Sequence, residues 1–480
     1  MHAGKHSLIS YAPAVSVHCS NELIPKLEVN MRFRLKKGVF VRRNKNEVLM
    51  WCPRSGAALD MEHIFPIVKG LTEEWREIGD ILRDVSCKLN VSADVLKDDL
   101  ISVLGEINSV GLGDFDDDFI SCESARENVP CDAYCEEEKF SGSIAQRFCE
   151  RCGSPFELHL DITDACNEKC VHCYVTKESR FLDYNIIEKV LNEFRDANGL
   201  TVYITGGECM LHPRFRDICR LCAHLNLNFV ILSNLVLCDE SVIDFFKTIS
   251  PQFINVSLYS MNAEEHDKIT QVRGSWEKTK KAILDCEKAG VHIRISTPLL
   301  KENKCALKKL ECFAKEHNMH LIPIAEIVPQ CDHGMKNMAH ICTKQELVAA
   351  FRENRELLDE GRGSCSCELN GKVCDIGRYR VYLNARGYYY PCDSMNGYEL
   401  ANAGRETLIE VWKGERLNYL RGLRNCDFIK CRSCPDRSYC KVCLAHNFNA
   451  TGKVMEVDPF KCEFTRAYKS VYGKDENCGG

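Results

Sequence analysis

Asp161-Ile-Thr-Asp-Ala-Cys166-Asn-Glu-Lys-Cys170-Val-His-Cys173-Tyr174 places three thiols at CxxxCxxC spacing. On one tight loop such thiols can take three irons of a [4Fe–4S] cube, leaving the fourth iron without a protein ligand and open to chemistry. Just ahead, Phe156, Leu158, Leu160 and Ile162 alternate with Glu157, His159, Asp161 and Thr163, the period of a strand, so the cysteines follow a strand's C-terminal end. Active sites of β/α barrels lie on that rim.

Downstream the two periods alternate. Strand-like runs at 201–204, 228–232, 253–258, 291–297 and 319–324 are separated by helix-like stretches at 184–198, 214–226, 240–248, 275–289 and 303–317. Such βα units demand a parallel sheet with right-handed crossovers. With the strand before the cysteines there are six, a partial (β/α)6 barrel of TIM type. CxxxCxΦC after a first strand, with His172 at the ring-bearing Φ position, resembles the signature of the radical S-adenosylmethionine (radical SAM) enzymes, and the resemblance implies the same α/β fold over roughly 155–330. A zinc knuckle is the competing reading of the loop by itself.

The second strand runs into Thr205-Gly206-Gly207-Glu208. Paired glycines let backbone approach a ligand, and carbonyls with the Glu208 carboxylate can accept hydrogen bonds from an ammonium group. The run matches the family's GGE motif, which by resemblance holds the amino group of S-adenosylmethionine (SAM). Cys209 stands where the family often has proline; its thiol is either an inert buried group or a hydrogen-atom donor near the cofactor. Ser233 and Asn234 end the third strand and Ser257 lies on the fourth, and the resemblance assigns all three to SAM with His172, Gly206, Gly207 and Glu208. The family arginine that meets the SAM carboxylate aligns near Thr270, with Arg273 the nearest substitute.

Toward the C-terminus Cys374, then Gly387-Tyr-Tyr-Tyr-Pro-Cys392, then Cys431-Arg-Ser-Cys434-Pro-Asp-Arg-Ser-Tyr-Cys440-Lys-Val-Cys443, then Cys462 resembles the SPASM domain. One gap is a residue short, between Cys440 and Cys443. The family's eighth ligand precedes the first of these, making Cys367 or Cys365 the candidate. Eight thiols close two auxiliary [4Fe–4S] cubes. The resemblance puts Cys367, Cys374, Cys392 and Cys443 on one and Cys431, Cys434, Cys440 and Cys462 on the other. With the cluster of Cys166, Cys170 and Cys173, the implied cofactors are three [4Fe–4S] clusters and SAM.

The chain has 480 residues, 45% of them hydrophobic, and a net charge of −6. That length suffices for several domains. The charge, with no basic run, argues against nucleic acid as a partner. No apolar run is long enough to span a bilayer, and the start lacks the pattern of a secretory signal, so a cytoplasmic protein with no membrane partner is expected. Disulfide frameworks belong to small secreted domains; in a large cytoplasmic chain, 31 cysteines point to metal. Most of them remain without a role.

Residues 1–30 read as a lead-in. Arg32 to Arg42 reads as two short strands about a turn at Gly38, and Glu47 to Trp51 as a third. Two helices follow, one with the stripe Trp75, Ile78, Leu82, Val85, Leu89, the other capped by Ser92 with Leu96, Leu100, Val103, Ile107. A three-stranded sheet with a helical layer over 31–113 is winged-helix-like and resembles the PqqD-like recognition domain, which implies capture of a precursor's leader peptide on a strand edge. A structural cap or a DNA-binding winged helix is the alternative. Residues 114–155, acidic at Asp116–Asp118 and Glu136–Glu138, read as a linker whose Cys122, Cys131, Cys135, Cys149 and Cys152 take no assigned role. The barrel core is expected over 156–340, a bridging helix over 341–364, the cysteine-rich domain over 365–470 and a tail over 471–480.

Taken together, the resemblance implies an oxidoreductase acting on a ribosomally made precursor peptide held by its leader. SAM cleavage gives a 5′-deoxyadenosyl radical, hydrogen abstraction follows, and net oxidation leaves a crosslink, a thioether ahead of a carbon–carbon bond. Flavodoxin or ferredoxin is the expected electron donor. The alternatives are a sulfatase-maturing-type dehydrogenase, a peptide epimerase using a thiol such as Cys209, and a non-catalytic peptide-binding or electron-carrying protein.

Overall fold

The computed structural model describes residues 31–116, 144–359 and 369–473, so Cys122, Cys131, Cys135, Cys365 and Cys367 lie outside the described residues. The chain divides into two units, residues 1–153 and 154–480. The first contains β1 (Arg32–Leu35), β2 (Phe40–Asn44), β3 (Glu47–Trp51), β4 (Ala58–Glu62), α1 (Phe65–Val68), β5 (Arg76–Glu77), α2 (Ile78–Leu89), α3 (Ala93–Ser109), β6 (Gly113–Phe115) and α4 (Ile144–Cys152).

Instead of one three-stranded sheet the unit has two, ordered β5-β1-β6 and β2-β3-β4. The expected hairpin at Gly38 is a crossover between them. Leu35 N donates to the Thr72 carbonyl at 2.7 Å and Lys36 N to that of Leu112 at 3.0 Å, which commits β1 to the first sheet. Gly38, at φ +81°, then turns the chain toward the second. Helix α2 starts at Ile78, so Trp75 lies before it, under the Arg34 guanidinium at 4.4 Å. Leu89, at the other end of the stripe, is exposed. Ile78, Leu82 and Val85 pack with Leu96, Leu100, Val103 and Ile107 of α3 in the unit's core.

Two elements occupy the stretch expected to be a linker. Strand β6 pairs with β1, and α4 buries Ala145, Phe148 and Cys149. Arg151 of α4 reaches Glu47 at 3.1 Å and also meets Asp60, tying the helix to β3 and β4. A single short apolar stripe beside acidic surroundings hid this helix. Cys149 is a core residue; burial pushes its thiol up, the behaviour of an inert cysteine.

The second unit begins with β7 (Glu157–Thr163), α5 (Tyr184–Asp196), β8 (Thr201–Gly206), α6 (Phe215–His224), β9 (Asn228–Ser233), α7 (Glu240–Ile249) and β10 (Ile254–Ser257). It continues with α8 (Ala263–Thr270), α9 (Ser275–Lys288), β11 (Ile293–Pro298), α10 (Leu307–Glu316), β12 (His320–Ile324) and α11 (Lys344–Glu353). The cysteine-rich end adds β13 (Arg380–Leu383), β14 (Tyr388–Tyr390), β15 (Ala401–Asn402), α12 (Leu408–Lys413), α13 (Glu415–Gly422), α14 (Ile429–Arg432), α15 (Leu444–Thr451) and α16 (Pro459–Tyr472).

One sheet runs through the unit, ordered β12-β11-β10-β9-β8-β7-β13-β14-β15. From β7 to β12 all neighbours are parallel, which makes the partial (β/α)6 barrel. Beyond β7 the sheet continues into the cysteine-rich end: β13 joins β7 in parallel, and β14 and β15 follow antiparallel. Leu158, Leu160 and Ile162 of β7, Val202 and Ile204 of β8 and Val256 of β10 share a core with Val190, Leu191 and Phe194 of α5 and Ile218 of α6. Each such burial contributes ~1.5–3 kcal/mol, enough to fix which face of every strand meets the helices. His159, Asp161, Tyr203, Thr205, Asn255 and Ser257 alternate with them and therefore face the barrel interior.

Helix α8 was not anticipated, and α10 starts at Leu307, four residues later than expected, because Asn303 turns the chain first. Its amide donates to the carbonyls of Tyr259 and Pro298 at 2.8 and 2.9 Å. In the expected bridging segment α11 starts at a capping box of Thr343 and Glu346 and packs on α16. Helix α16 itself runs through the boundary expected at residue 470. No helix among the described residues is long and apolar enough to cross a membrane.

Candidate active site

The loop after β7 carries Cys166, Cys170 and Cys173, all partly buried. Its backbone is pinned from two sides. Lys169 and Val171 donate to the Thr270 and Ile269 carbonyls at 2.9 and 3.0 Å, at the end of α8, while Cys331 N donates to the Tyr174 carbonyl at 2.9 Å. Asn337 adds its amide to the His172 carbonyl at 3.3 Å. Lys177, which the sequence reading missed, donates to the Glu168 carbonyl at 2.6 Å. Burial acts to lower its pKa, but the proximity of Cys173, Cys166 and Cys170 raises it above the ordinary lysine value. One cation is thus electrostatically coupled to all three thiols, suited to offsetting the negative charge of thiolates.

Cys170 Sγ lies 3.6 Å from the Tyr259 hydroxyl and 3.4 Å from Glu168 Oε2. The His172 ring meets Tyr259 edge-on at 5.1 Å, and burial pushes its pKa down to about 4. Asn167 Nδ2, Glu168 Oε1 and His172 Nδ1 are enclosed without hydrogen-bond partners among the described residues. Orphaned buried polar atoms are uncommon, and a bound polar group would satisfy them. Three of them interleaved with three thiols fit a cluster together with a polar small molecule.

Gly206 and Gly207 make a close backbone contact that the sequence did not show. Gly207 N donates to the Thr163 carbonyl and Glu208 N to that of Ala165, both at 2.8 Å. A Cβ on Gly206 would stand 2.1 Å from the Thr163 oxygen, and one on Gly207 2.2 Å from that of Ala165. The glycines are required by backbone meeting backbone where β8 closes on the start of the cysteine loop; their carbonyls are what remains for an ammonium group. Gly207→Ala is expected to displace that loop at about 1–3 kcal/mol and to weaken SAM binding roughly tenfold by calorimetry. Unchanged affinity would refute the geometric role.

The Glu208 carboxylate is fully buried, which raises its pKa against the hydrogen bonds it receives. It accepts from Asn234 N at 2.8 Å, Ser233 Oγ at 2.9 Å and Met210 N at 3.1 Å. Ser233 and Asn234 therefore first hold Glu208, and Asn234 Nδ2 donates to Asn167 Oδ1 at 2.7 Å, tying β9 to the cysteine loop. Ser257 ends β10 on the interior face, two residues before Tyr259. Thr270 is buried, whereas Arg273 is exposed. Cys209 belongs to the core behind the sheet, its thiol 3.3 Å from the Leu232 carbonyl. That burial supports the reading of this thiol as an inert core residue.

The C-terminal thiols gather in two groups. Cys431, Cys434, Cys440 and Cys462 line one cavity with Asp436, Arg437, Lys461 and Arg466. Burial and the three neighbouring thiols push Cys431 up to about 11. Cys374 and Cys392 each interact with Cys443, which stands with them despite its closeness in sequence to Cys440. Four thiols around one cavity suit an iron–sulfur cube, and the second group has three before Cys365 or Cys367 is added.

Residues 160–311 match the Radical SAM superfamily and residues 374–443 the SPASM iron-sulfur cluster-binding domain. The antilisterial bacteriocin subtilosin biosynthesis protein AlbA of Bacillus subtilis is 30% identical over 315 residues, 62% of this chain and 69% of that protein. An AdoMet-dependent heme synthase of Methanosarcina barkeri is 24% identical over 341 residues, 64% of this chain and 96% of that one. In fold the chain is similar to Streptococcus suis SuiB bound to precursor peptide SuiA, with a TM-score of 0.57 at 15% identity, over 90% of this chain and 99% of that one. The chain belongs to the radical SAM superfamily and carries a SPASM domain. It is an enzyme of that superfamily, and its two matched domains make SAM and iron–sulfur clusters its cofactors.

Proposed function

We propose that the protein is a peptide maturase that oxidatively crosslinks a ribosomally made precursor, a thioether being favoured over a carbon–carbon bond. The observation that carries this reading is the family-level likeness to a bacteriocin biosynthesis protein. Further support comes from the fold shared with SuiB, solved with its precursor peptide, over a longer span than residues 154–480 can supply. Bound SAM and its cluster supply a 5′-deoxyadenosyl radical that removes a hydrogen atom, and the auxiliary clusters supply an electron acceptor.

The chain's own residues bind and orient. Cys166, Cys170 and Cys173 hold the cluster that meets SAM, with Lys177 offsetting their charge. Carbonyls of Gly206 and Gly207, held where β8 meets the cysteine loop, accept from the SAM ammonium. Asn234 and Ser257 offer amide and hydroxyl groups to its carboxylate and ribose, and His172 walls the pocket. Cys374, Cys392 and Cys443, with Cys367, hold one auxiliary cluster, and Cys431, Cys434, Cys440 and Cys462 the other. In the first unit, β2 and β4 are the outer strands of one sheet and β5 and β6 those of the other. An extended leader adds to such an edge by main-chain hydrogen bonds. The reductant is a flavodoxin or ferredoxin, in the cytoplasm.

Tethering raises the local concentration of the peptide's core segment without changing the chemistry. With a leader-bearing precursor peptide as substrate, the leader is expected to lower the apparent KM by at least about tenfold and to leave kcat nearly unchanged. Equal KM for leader-bearing and leaderless peptides would reduce the first unit to a cap and favour the sulfatase-maturing type of dehydrogenase.

A further inference from the structure

One interior carboxyl group is not used by these assignments. Asp161 lies on β7 five residues before Cys166, and its neighbours Leu160 and Ile162 enter the core behind the sheet, so its side chain faces the barrel interior. Oδ2 accepts from the Tyr390 hydroxyl at 2.6 Å and from Asn396 Nδ2 at 3.1 Å. Oδ1 is not among the enclosed polar atoms that lack partners, and no described residue donates to it, so it opens on the interior. Asp393, the other acid of this region, is exposed and has one of its two oxygens engaged beside Cys392. Its Oδ1 accepts from Ser394 N at 2.7 Å and lies 3.1 Å from Cys392 Sγ.

We infer that Asp161 is the proton acceptor of the reaction chamber, its open Oδ1 receiving the proton that the peptide loses as the new bond forms. The inference rests on the crosslinking reading above. In thioether formation one C–H and one S–H bond break and one C–S bond forms. One hydrogen leaves as an atom to the 5′-deoxyadenosyl carbon, giving 5′-deoxyadenosine. The other leaves as a proton to Asp161, and its electron goes to an oxidised [4Fe–4S] acceptor. Tyr390 and Asn396 are positioning residues that occupy one oxygen and leave the other open.

The surroundings suit a base. Thr205 lies opposite on β8, His159 is on the same face of β7, and Tyr174 and Cys331 approach from loops. Burial raises the carboxyl to about 7; the Tyr390 bond opposes this, and Asp393 and Asp164 add to it, with no basic group acting. A carboxylate poised there can take the proton of a thiol of ordinary pKa ~8.5 and release it near neutral pH, which a carboxylate at the usual ~3.9 does far less well.

The test uses the reconstituted full chain and its leader-bearing peptide between pH 5.5 and 8.5, with crosslinked product expressed per 5′-deoxyadenosine so that changes in SAM cleavage divide out. Wild type is expected to gain product per 5′-deoxyadenosine as pH rises through about 7, the carboxyl being protonated below that value and ionised above it. Asp161→Asn is expected to lower the ratio at least about tenfold and to abolish the pH limb, and Asp161→Glu to restore both in part. Tyr390→Phe, which removes a bond that lowers the pKa, is expected to keep coupling at high pH with the limb moved upward. Independently of turnover, infrared difference spectra between pH 6 and 8 are expected to show a titrating carboxylic C=O band that Asp161→Asn removes. A wild-type ratio or an unshifted limb in Asp161→Asn, or a band insensitive to it, overturns the inference. Wild type that cleaves SAM without crosslinking, while the band still titrates near 7, counts against the crosslinking reading alone.

Discussion

Replacing Cys166, Cys170 and Cys173 together by alanine is expected to abolish 5′-deoxyadenosine formation and to remove about four of about twelve irons from anaerobically reconstituted protein. Metal ligation is often folding free energy, so a dead variant could simply be an unfolded one. Here the loop is fixed by bonds that need no iron: Lys169 and Val171 to the end of α8, Cys331 to Tyr174, and Gly207 and Glu208 to Thr163 and Ala165. The barrel's apolar core lies on the other side of the sheet from the interior face. The variant should therefore keep its far-ultraviolet circular dichroism and the irons of its auxiliary thiols. SAM cleavage by such a folded variant would remove the central assignment of this loop.

What could be read in the sequence was what local periodicity encodes. Alternation fixed the face each strand turns to the helices, and the cysteine spacing marked the rim where the loop had to lie. Contacts made by distant segments leave no such trace. Tyr382 of β13 pairs opposite His159 of β7, and the ion pair of Arg380 with Glu157 beside it spans 223 residues of sequence. Nothing in Arg380-Val-Tyr-Leu says which edge it will join. The same holds for the crossover at Gly38, where β1 finds β5 and β6 instead of its nearest neighbour. At the site, Gly206 and Gly207 were legible as positions that exclude a side chain, but not as the place where two backbones meet. Lys177 follows the third cysteine by four residues, and lysines so placed are common; only the fold shows that its ammonium acts on all three sulfurs. Asp161 looked like one polar residue in an alternating strand until β14 brought Tyr390 against it.

Cys431→Ala, or Cys434→Ala, is expected to spare SAM cleavage while reducing crosslinked product about a hundredfold or more, and to lower iron by about four. The cavity these thiols line is separate from the loop of Cys166, Cys170 and Cys173, so radical generation has no direct need of them. On the crosslinking reading product formation does, because the electron released with the peptide's proton has to leave the chamber. The competing explanation is collapse of the cysteine-rich domain, and the structure argues against it on three grounds. Strands β13 to β15 are hydrogen-bonded into the barrel sheet. Leu420, Phe428 and Leu444 belong to a core of the domain's own. Lys461, beside Cys462, pairs with Glu326 just beyond β12 at 2.5 Å, and buried His446 bridges Glu326 and Asp458 at 3.1 Å each. Breaking such a buried network from one side costs ~3–5 kcal/mol, and neither substituted cysteine is a member of it, although Lys461 lines the same cavity. Circular dichroism, iron content, 5′-deoxyadenosine and crosslinked peptide measured on one preparation separate the outcomes. A well-folded variant that has lost those four irons and still gives normal product would show that this cluster takes no electron from the peptide.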